Sequence, residues 1–133
     1  MKKKIEIRRP ESSRGILEET EPNFRNSLKH GIPIAMGTDS GMTYTFFGDN
    51  PIELVHMVNW GMDEDDAIMA GTFVAAKELN ILNKVGTMEV GKYADLLVLN
   101  EDPLENIEVL TDPEQIVHIM INGRFIEHLL PNF

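Results

Sequence analysis

The sequence predicts a mixed α/β chain, with helices and one buried strand over residues 1–80 and a small β-rich module over residues 81–133. Three observations carry this reading. A helical stretch ends at Lys29-His30-Gly31 and gives way to the apolar run Ile32-Pro33-Ile34-Ala35-Met36, which stops at Gly37-Thr38-Asp39-Ser40-Gly41. Apolar residues then recur at helical spacing between Ile52 and Leu79. From Ile81 the period changes, glycines bracket Thr87–Val90, and Asn122-Gly123 supplies a two-residue hairpin signal.

Met1 to Arg9 is basic, with Ile5 and Ile7 alternating as in a frayed or edge-pairing tail. Pro10 suits the first turn of a helix reaching Glu19, and Pro22 should interrupt it. A second helix is therefore expected to start at Thr20 or Glu21 and run to His30, where Gly31 can take the left-handed stop conformation. Ile32–Met36 alternates too little for a half-exposed strand and is expected to be buried on both faces, with Pro33 at its entry. The aromatic loop Met42–Gly48 either lines a pocket or plugs against the body.

Asn50-Pro51-Ile52-Glu53 reads as a helix start with Asn50 as the cap. Ile52, Val55, Val58 and Met62 form its packed side, His56 is half-exposed, and Gly61 ends it. The acidic run Met62-Asp63-Glu64-Asp65-Asp66 is explained by helix chemistry: Asp63 caps, and the other carboxylates occupy the positive first turn. Ala67, Ile68 and Ala70 pack; Gly71-Thr72 should break and recap the helix; Asn80 should stop it. Ala94–Leu99 is then a buried strand and Asn100–Pro103 a turn. Ile107 and Val109 form a short pairing segment, and Ile116–Ile121 and Arg124–Glu127 are hairpin arms, with His118 a strand residue. His128–Phe133 is too apolar for a free tail.

A net charge of −10 argues against nucleic acid or an anionic membrane as partner, and its plain meaning is solubility. The chain has no cysteine, hence no disulfide framework, thiolate zinc site or cysteine nucleophile. No apolar run approaches membrane-spanning length, and Ile5-Glu6-Ile7-Arg8-Arg9 is charged where a signal peptide would be apolar, so a cytoplasmic protein is expected.

Three segments in order, HGIPIAMGTDSG from His30, GTFVAAKEL from Gly71 and VGTMEVGKYADLLVLNEDPLENI from Val85, resemble the C-terminal third of metal-dependent amidohydrolases. The imidazolonepropionase-like branch, with its Xaa-Pro dipeptidase-like hydrolases, is the most similar, over roughly residues 21–126. The resemblance implies the last strand and helices of a (β/α)8 barrel followed by a small β-sandwich module, with the strand's C-terminal end on the catalytic face. It implies hydrolysis of C–N bonds in a small-molecule substrate (an amide, cyclic amide or dipeptide) with a divalent metal, zinc foremost. Asp39 then matches the aspartate at the end of the eighth strand, which contacts the metal and handles the proton of the attacking water. On the local pattern alone, Asp39 reads equally as a turn or capping residue. Asp95 matches a structural aspartate of the β-module.

The family's His-x-His pair is missing, and His30, His56, His118 and His128 match none of its histidine ligands. A barrel also needs about 250 residues, against 133 here. The expectation is a chain that is inactive alone and binds no metal tightly by itself. Three readings stay open: the C-terminal fragment of a hydrolase, a subunit of a split enzyme, and a non-catalytic binding or oligomerisation module. The unpartnered strand predicts a homo-oligomer, or a missing N-terminal barrel portion that covers it.

Overall fold

One unbroken helix, α1 (Ser12–Lys29), stands where two were expected. Pro22 lies inside it, where the lost bond from its nitrogen to the Glu18 carbonyl and the crowding of that carbonyl by its ring together cost about 3 kcal/mol. The turns on either side carry the helix through, and Arg25 pairs with Glu21 at 2.8 Å one turn apart. The end is as the sequence predicts. Gly31 adopts φ 65°, its N–H reaches the Leu28 carbonyl at 2.9 Å, and the Ile32 N–H reaches Ser27 at 3.1 Å. This pair of backward bonds satisfies carbonyls the last turn would otherwise leave open.

The computed structural model describes residues 12–41 and 46–126, which fall into two compact units, Met1–Pro33 and Ile34–Phe133. The basic tail, Pro10, most of the aromatic loop and the apolar C-terminus lie outside the described residues. Among the described residues no helix is long and apolar enough to cross a membrane.

The second unit opens on the segment that the sequence marks as a buried strand, and the structure corrects this. Residues 34–36 are extended but pair with no strand; Ile34 and Met36 are half-buried and Ala35 is exposed, while Ile32, in the first unit, is 54% exposed. A parallel strand needs a neighbour for its ladder, and no described segment supplies one. Met36 instead gives its N–H to the Ala70 carbonyl at 3.0 Å.

Helix α2 (Ile52–Asn59) follows. Its polar residues Glu53, His56 and Asn59 fall on one side, and the buried residues lie on the other. Leu54 and Met57 are buried, together with Met62 beyond the helix, whereas the expected stripe has Ile52 at 46% exposure. Gly61 (φ 98°) ends the helix, with Met62 N–H bonding Met57 at 3.1 Å. Helix α3 (Glu64–Met69) starts with its three carboxylates in the first turn, but Asp63 makes no side-chain cap; Asp65 Oδ1 accepts the Asp66 N–H instead. Gly71-Thr72 does not break the helix. The chain widens into a π turn over Ala70–Val74, within which Thr72 Oγ1 donates to the Ile68 carbonyl at 2.7 Å, and resumes as α4 (Ala75–Glu78). Asn80 (φ 58°) stops it as expected.

The sheet holds three antiparallel strands in the order β1 (Leu96–Leu99), β2 (Ile116–Ile121), β3 (Arg124–Ile126). Leu96 faces Met120, which faces Phe125. Among the described residues the expected buried strand is an edge: Leu97 and Val98 are exposed, with β2 alone of those residues beside it. Ile107 and Val109 are buried in a 3-10 turn (Ile107–Thr111) packed on α2, not in a pairing segment; Asn106 caps this turn by accepting the Glu108 N–H. Asn122 and Gly123 both take positive φ, as a two-residue hairpin turn of right-twisted strands requires. Asp95 does a structural job there, accepting the Asn122 N–H at 2.6 Å, while the Ala94 carbonyl takes the Gly123 N–H at 3.0 Å. The barrel and the sandwich are not seen as such among the described residues. What stands there is a helical layer and one small sheet.

Gly86 (φ +92°) lies against α4 so closely that a Cβ would stand 2.6 Å from Ala76 Cβ and 3.1 Å from the Thr72 carbonyl. Gly86→Ala should therefore lower stability by about 2 kcal/mol or more, from left-handed strain plus overpacking. A urea unfolding midpoint within error of wild type would contradict this packing.

Beside it, the Thr87 hydroxyl, donating at 2.6 Å, and then the Lys92 ammonium hold the Glu89 carboxyl below its ordinary value of 4.5. A carboxylate lowered on folding adds stability that is present above its unfolded value and lost as pH falls through its folded one. The stability difference between wild type and Glu89→Gln should accordingly be small but measurable at neutral pH and vanish in acid. A difference independent of pH would show that the charge does not matter.

Candidate active site

Asp39 sits in the loop that closes the extended segment. Three features fix that loop. The Met36 N–H is bound to Ala70, at the first residue of the π turn. Gly71 next to it packs against Met36 and Leu54: a Cβ there would stand in ordinary contact with Leu54 Cδ2 at 3.4 Å and Met36 Sδ at 3.5 Å. Beyond Met36, Thr38 Oγ1 and Ser40 Oγ lie 2.8 Å apart, and both hydroxyls reach Asn50 Oδ1, Thr38 at 3.5 Å and Ser40 more closely.

Asn50 is not the helix cap that its place before Pro51 predicts. Helix α2 has no side-chain cap at all; its first position follows Pro51, and the Asn50 amide turns back to the loop. The sequence carried the signal, two hydroxyls flanking an aspartate and an asparagine ten residues on, but local pattern assigned each to its own turn. Asp39 itself takes φ 46°, a left-handed conformation that aspartate tolerates better than most residues, and it is exposed. Phe46 and Phe47 are 64% and 82% exposed, which removes the reading that these two plug the loop against the body. The Phe47 ring covers Gly41, where a Cβ would meet it at 3.1 Å.

Two cavities of about 610 and 660 Å³ lie in this unit, and Asp39 lines neither. The second is mostly apolar and runs from the back of the loop, at Met36 and Asn50, along Leu54 to the sheet at Leu96 and Ile119.

The three histidines among the described residues are engaged elsewhere. His30 bonds the Asn26 carbonyl through Nδ1 at 2.8 Å, His56 stacks on Trp60 with centroids 5.6 Å apart, and His118 leans on Phe125 at 5.3 Å. Asp63, Asp65 and Asp66 are the one group of three acidic or imidazole side chains close enough to share an ion among the described residues, and all three are exposed. Asp39 does not belong to it. A catalytic zinc takes three protein ligands and an open position, so the described residues do not by themselves make such a centre around Asp39.

Comparison with known proteins places this geometry. The profile of the amidohydrolase family matches residues 1–126. The chain is similar to the imidazolonepropionase of Thermoplasma acidophilum, 32% identical over 96 residues, 71% of this chain and 23% of that protein. It is likewise similar to the ochratoxinase of Aspergillus niger, 30% identical over 106 residues, 78% of this chain and 21% of that one. Among solved structures, a Xaa-Pro dipeptidase with methionine bound in its active site is 36% identical, with a TM-score of 0.72 over 80% of this chain and 25% of that chain. The chain thus spans about a quarter of the length of the relatives it matches.

Proposed function

The chain belongs to the amidohydrolase family, and from that premise we propose that it forms the C-terminal part of a metal-dependent hydrolase of C–N bonds, with Asp39 as its proton-handling residue. The observation that carries this reading is the placing of Asp39: an exposed carboxylate in left-handed backbone, just past the end of the extended Ile34–Met36 segment. The named relatives, an imidazolonepropionase, an ochratoxinase and a Xaa-Pro dipeptidase, support a small amide, cyclic amide or dipeptide as substrate.

Asp39 is suited to general acid–base work. Its carboxylate takes a proton from the attacking water as the oxygen bonds to the carbonyl carbon. It returns that proton to the nitrogen as the C–N bond breaks, so the amine leaves neutral and the carboxylate is restored. To a divalent ion, zinc in our reading, Asp39 offers one ligand. Among the described residues Asp39 belongs to no group of three side chains close enough to share an ion, so further donors would have to join it.

The isolated 133-residue chain should therefore show no turnover of Xaa-Pro dipeptides or N-acyl amino acids and retain no stoichiometric zinc after dialysis against a weak chelator. A chimaera tests the role of Asp39 directly. The part of the Xaa-Pro dipeptidase that precedes its matched quarter, joined to this chain, should hydrolyse dipeptides, and Asp39→Asn should cut turnover by about 10²–10⁴-fold. Full activity of that variant would sink the assignment.

A second reading, association, is favoured by one observation. No large side chain among the described residues is fully buried, while Phe46, Phe47, Leu97, Val98, Phe125 and Ile126 stand exposed. Burying one large aliphatic or aromatic side chain is worth about 1.5–3 kcal/mol, so these surfaces favour cover by a second copy or by the preceding part of a barrel. Light scattering at micromolar concentration should report a multiple of 15.0 kDa. A clean monomer that binds no apolar dye would count against self-association.

A further inference from the structure

We infer that Asn50 is a positioning residue for Asp39, acting through Ser40 and Thr38. It matters to the reaction only if Asp39 does, and so it rests on the function proposed above. The φ of 46° at Asp39 is one that a non-glycine residue keeps only where its surroundings hold it. Both of its neighbours are held. The hydroxyls of Thr38 and Ser40 lie 2.8 Å apart, and both reach Asn50 Oδ1. An amide oxygen only accepts, so Ser40 donates to Asn50, and the single Thr38 hydroxyl hydrogen is left to serve Ser40 Oγ or Asn50 Oδ1. The three side chains thus form a hydrogen-bonded chain across the base of the loop, and all three are part-buried.

The far end of that chain is fixed. The Asn50 carbonyl accepts the Glu53 N–H at 3.2 Å in the first turn of α2, and α2 is anchored by buried Leu54 and Met57. The cap position of α2 falls on Pro51, which offers no side-chain cap, and the Asn50 amide, one residue earlier, is engaged by the loop instead.

The test uses the whole chain first. The HN–Hα coupling and Cα chemical shift of Asp39 report its left-handed backbone, and the amide exchange of residues 38–41 reports how firmly the loop is closed. Asn50→Ala and Ser40→Ala should each move the coupling and shift towards unfolded values and speed exchange about tenfold or more. The β1–β3 amides should stay unchanged, and Ser40→Thr, which keeps the hydroxyl, should restore both readouts. The double variant should add little to either single one, as members of one chain do. In the chimaera, Asn50→Ala should lower kcat about tenfold or more with KM within about twofold.

Unchanged Asp39 signals in Asn50→Ala overturn the positioning role. So does an unchanged kcat in the chimaera while Asp39→Asn still abolishes turnover, and in that case the proposed function stands. If Asp39→Asn itself leaves turnover intact, both fall together.

Discussion

A single backbone hydrogen bond, from the Met36 N–H to the Ala70 carbonyl, ties the loop that carries Asp39 to the helical layer. It falls at the first residue of the π turn, beside Gly71, against which Met36 and Leu54 pack. A π turn is a costly irregularity that tends to occur where function or packing demands it. Here it brings a helix, an extended segment and the start of α2 together around Met36, Leu54 and Gly71. The extended segment has no strand partner to fix its register, so this bond and the contacts around it do what a sheet ladder would do. The hydroxyl–amide chain at Thr38, Ser40 and Asn50 then fixes the loop beyond it.

How much of this was legible in the sequence depended on how local each cause is. The ends of α1, α2 and α4 at Gly31, Gly61 and Asn80 were read correctly, because a left-handed stop is set by one residue's backbone preference. The Asn122-Gly123 hairpin was legible for the same reason. Pro22 misled because a proline's local cost was weighed without the turns on both sides that carry the helix. The buried stripe of α2 was misplaced in part: Met62 is buried, but Ile52 flanks the polar side made by Glu53, His56 and Asn59, and the packed side opposite it carries Leu54 and Met57. Ile32–Met36 reads as buried because its composition assumes flanking strands. Neither the π turn nor the turned-back Asn50 side chain has a short-range signature. Asp39 was legible as a candidate, by pattern and resemblance; the device that holds it was not.

The three-stranded sheet is uncommon in presenting apolar residues on both faces, with Leu97 and Ile126 on one and Val98 and Phe125 on the other. A small antiparallel sheet with one solvated face normally alternates apolar and polar side chains. The burial of β1 and β2 instead runs in pairs rather than in alternation. With a core made largely of alanines, methionines and a few aliphatics, the unit has little apolar burial to set against the ordering of its chain. Sheet and helices have the composition of elements covered on more sides than the described residues cover them.

Asn122-Gly123 is also a dipeptide open to slow chemical ageing, since the glycine nitrogen can attack the preceding side-chain amide and release ammonia through a cyclic imide. In this hairpin that nitrogen donates to the Ala94 carbonyl, and the Asn122 N–H is held by Asp95. Ring closure requires the nitrogen to let go of Ala94, so deamidation is coupled to opening of the turn. The carboxylate of Asp95 and the carbonyl beside it thereby shield the asparagine as well as shaping the hairpin, and the rate at which the chain acquires a new negative charge there reports how often the turn lets go of the segment that leads into β1.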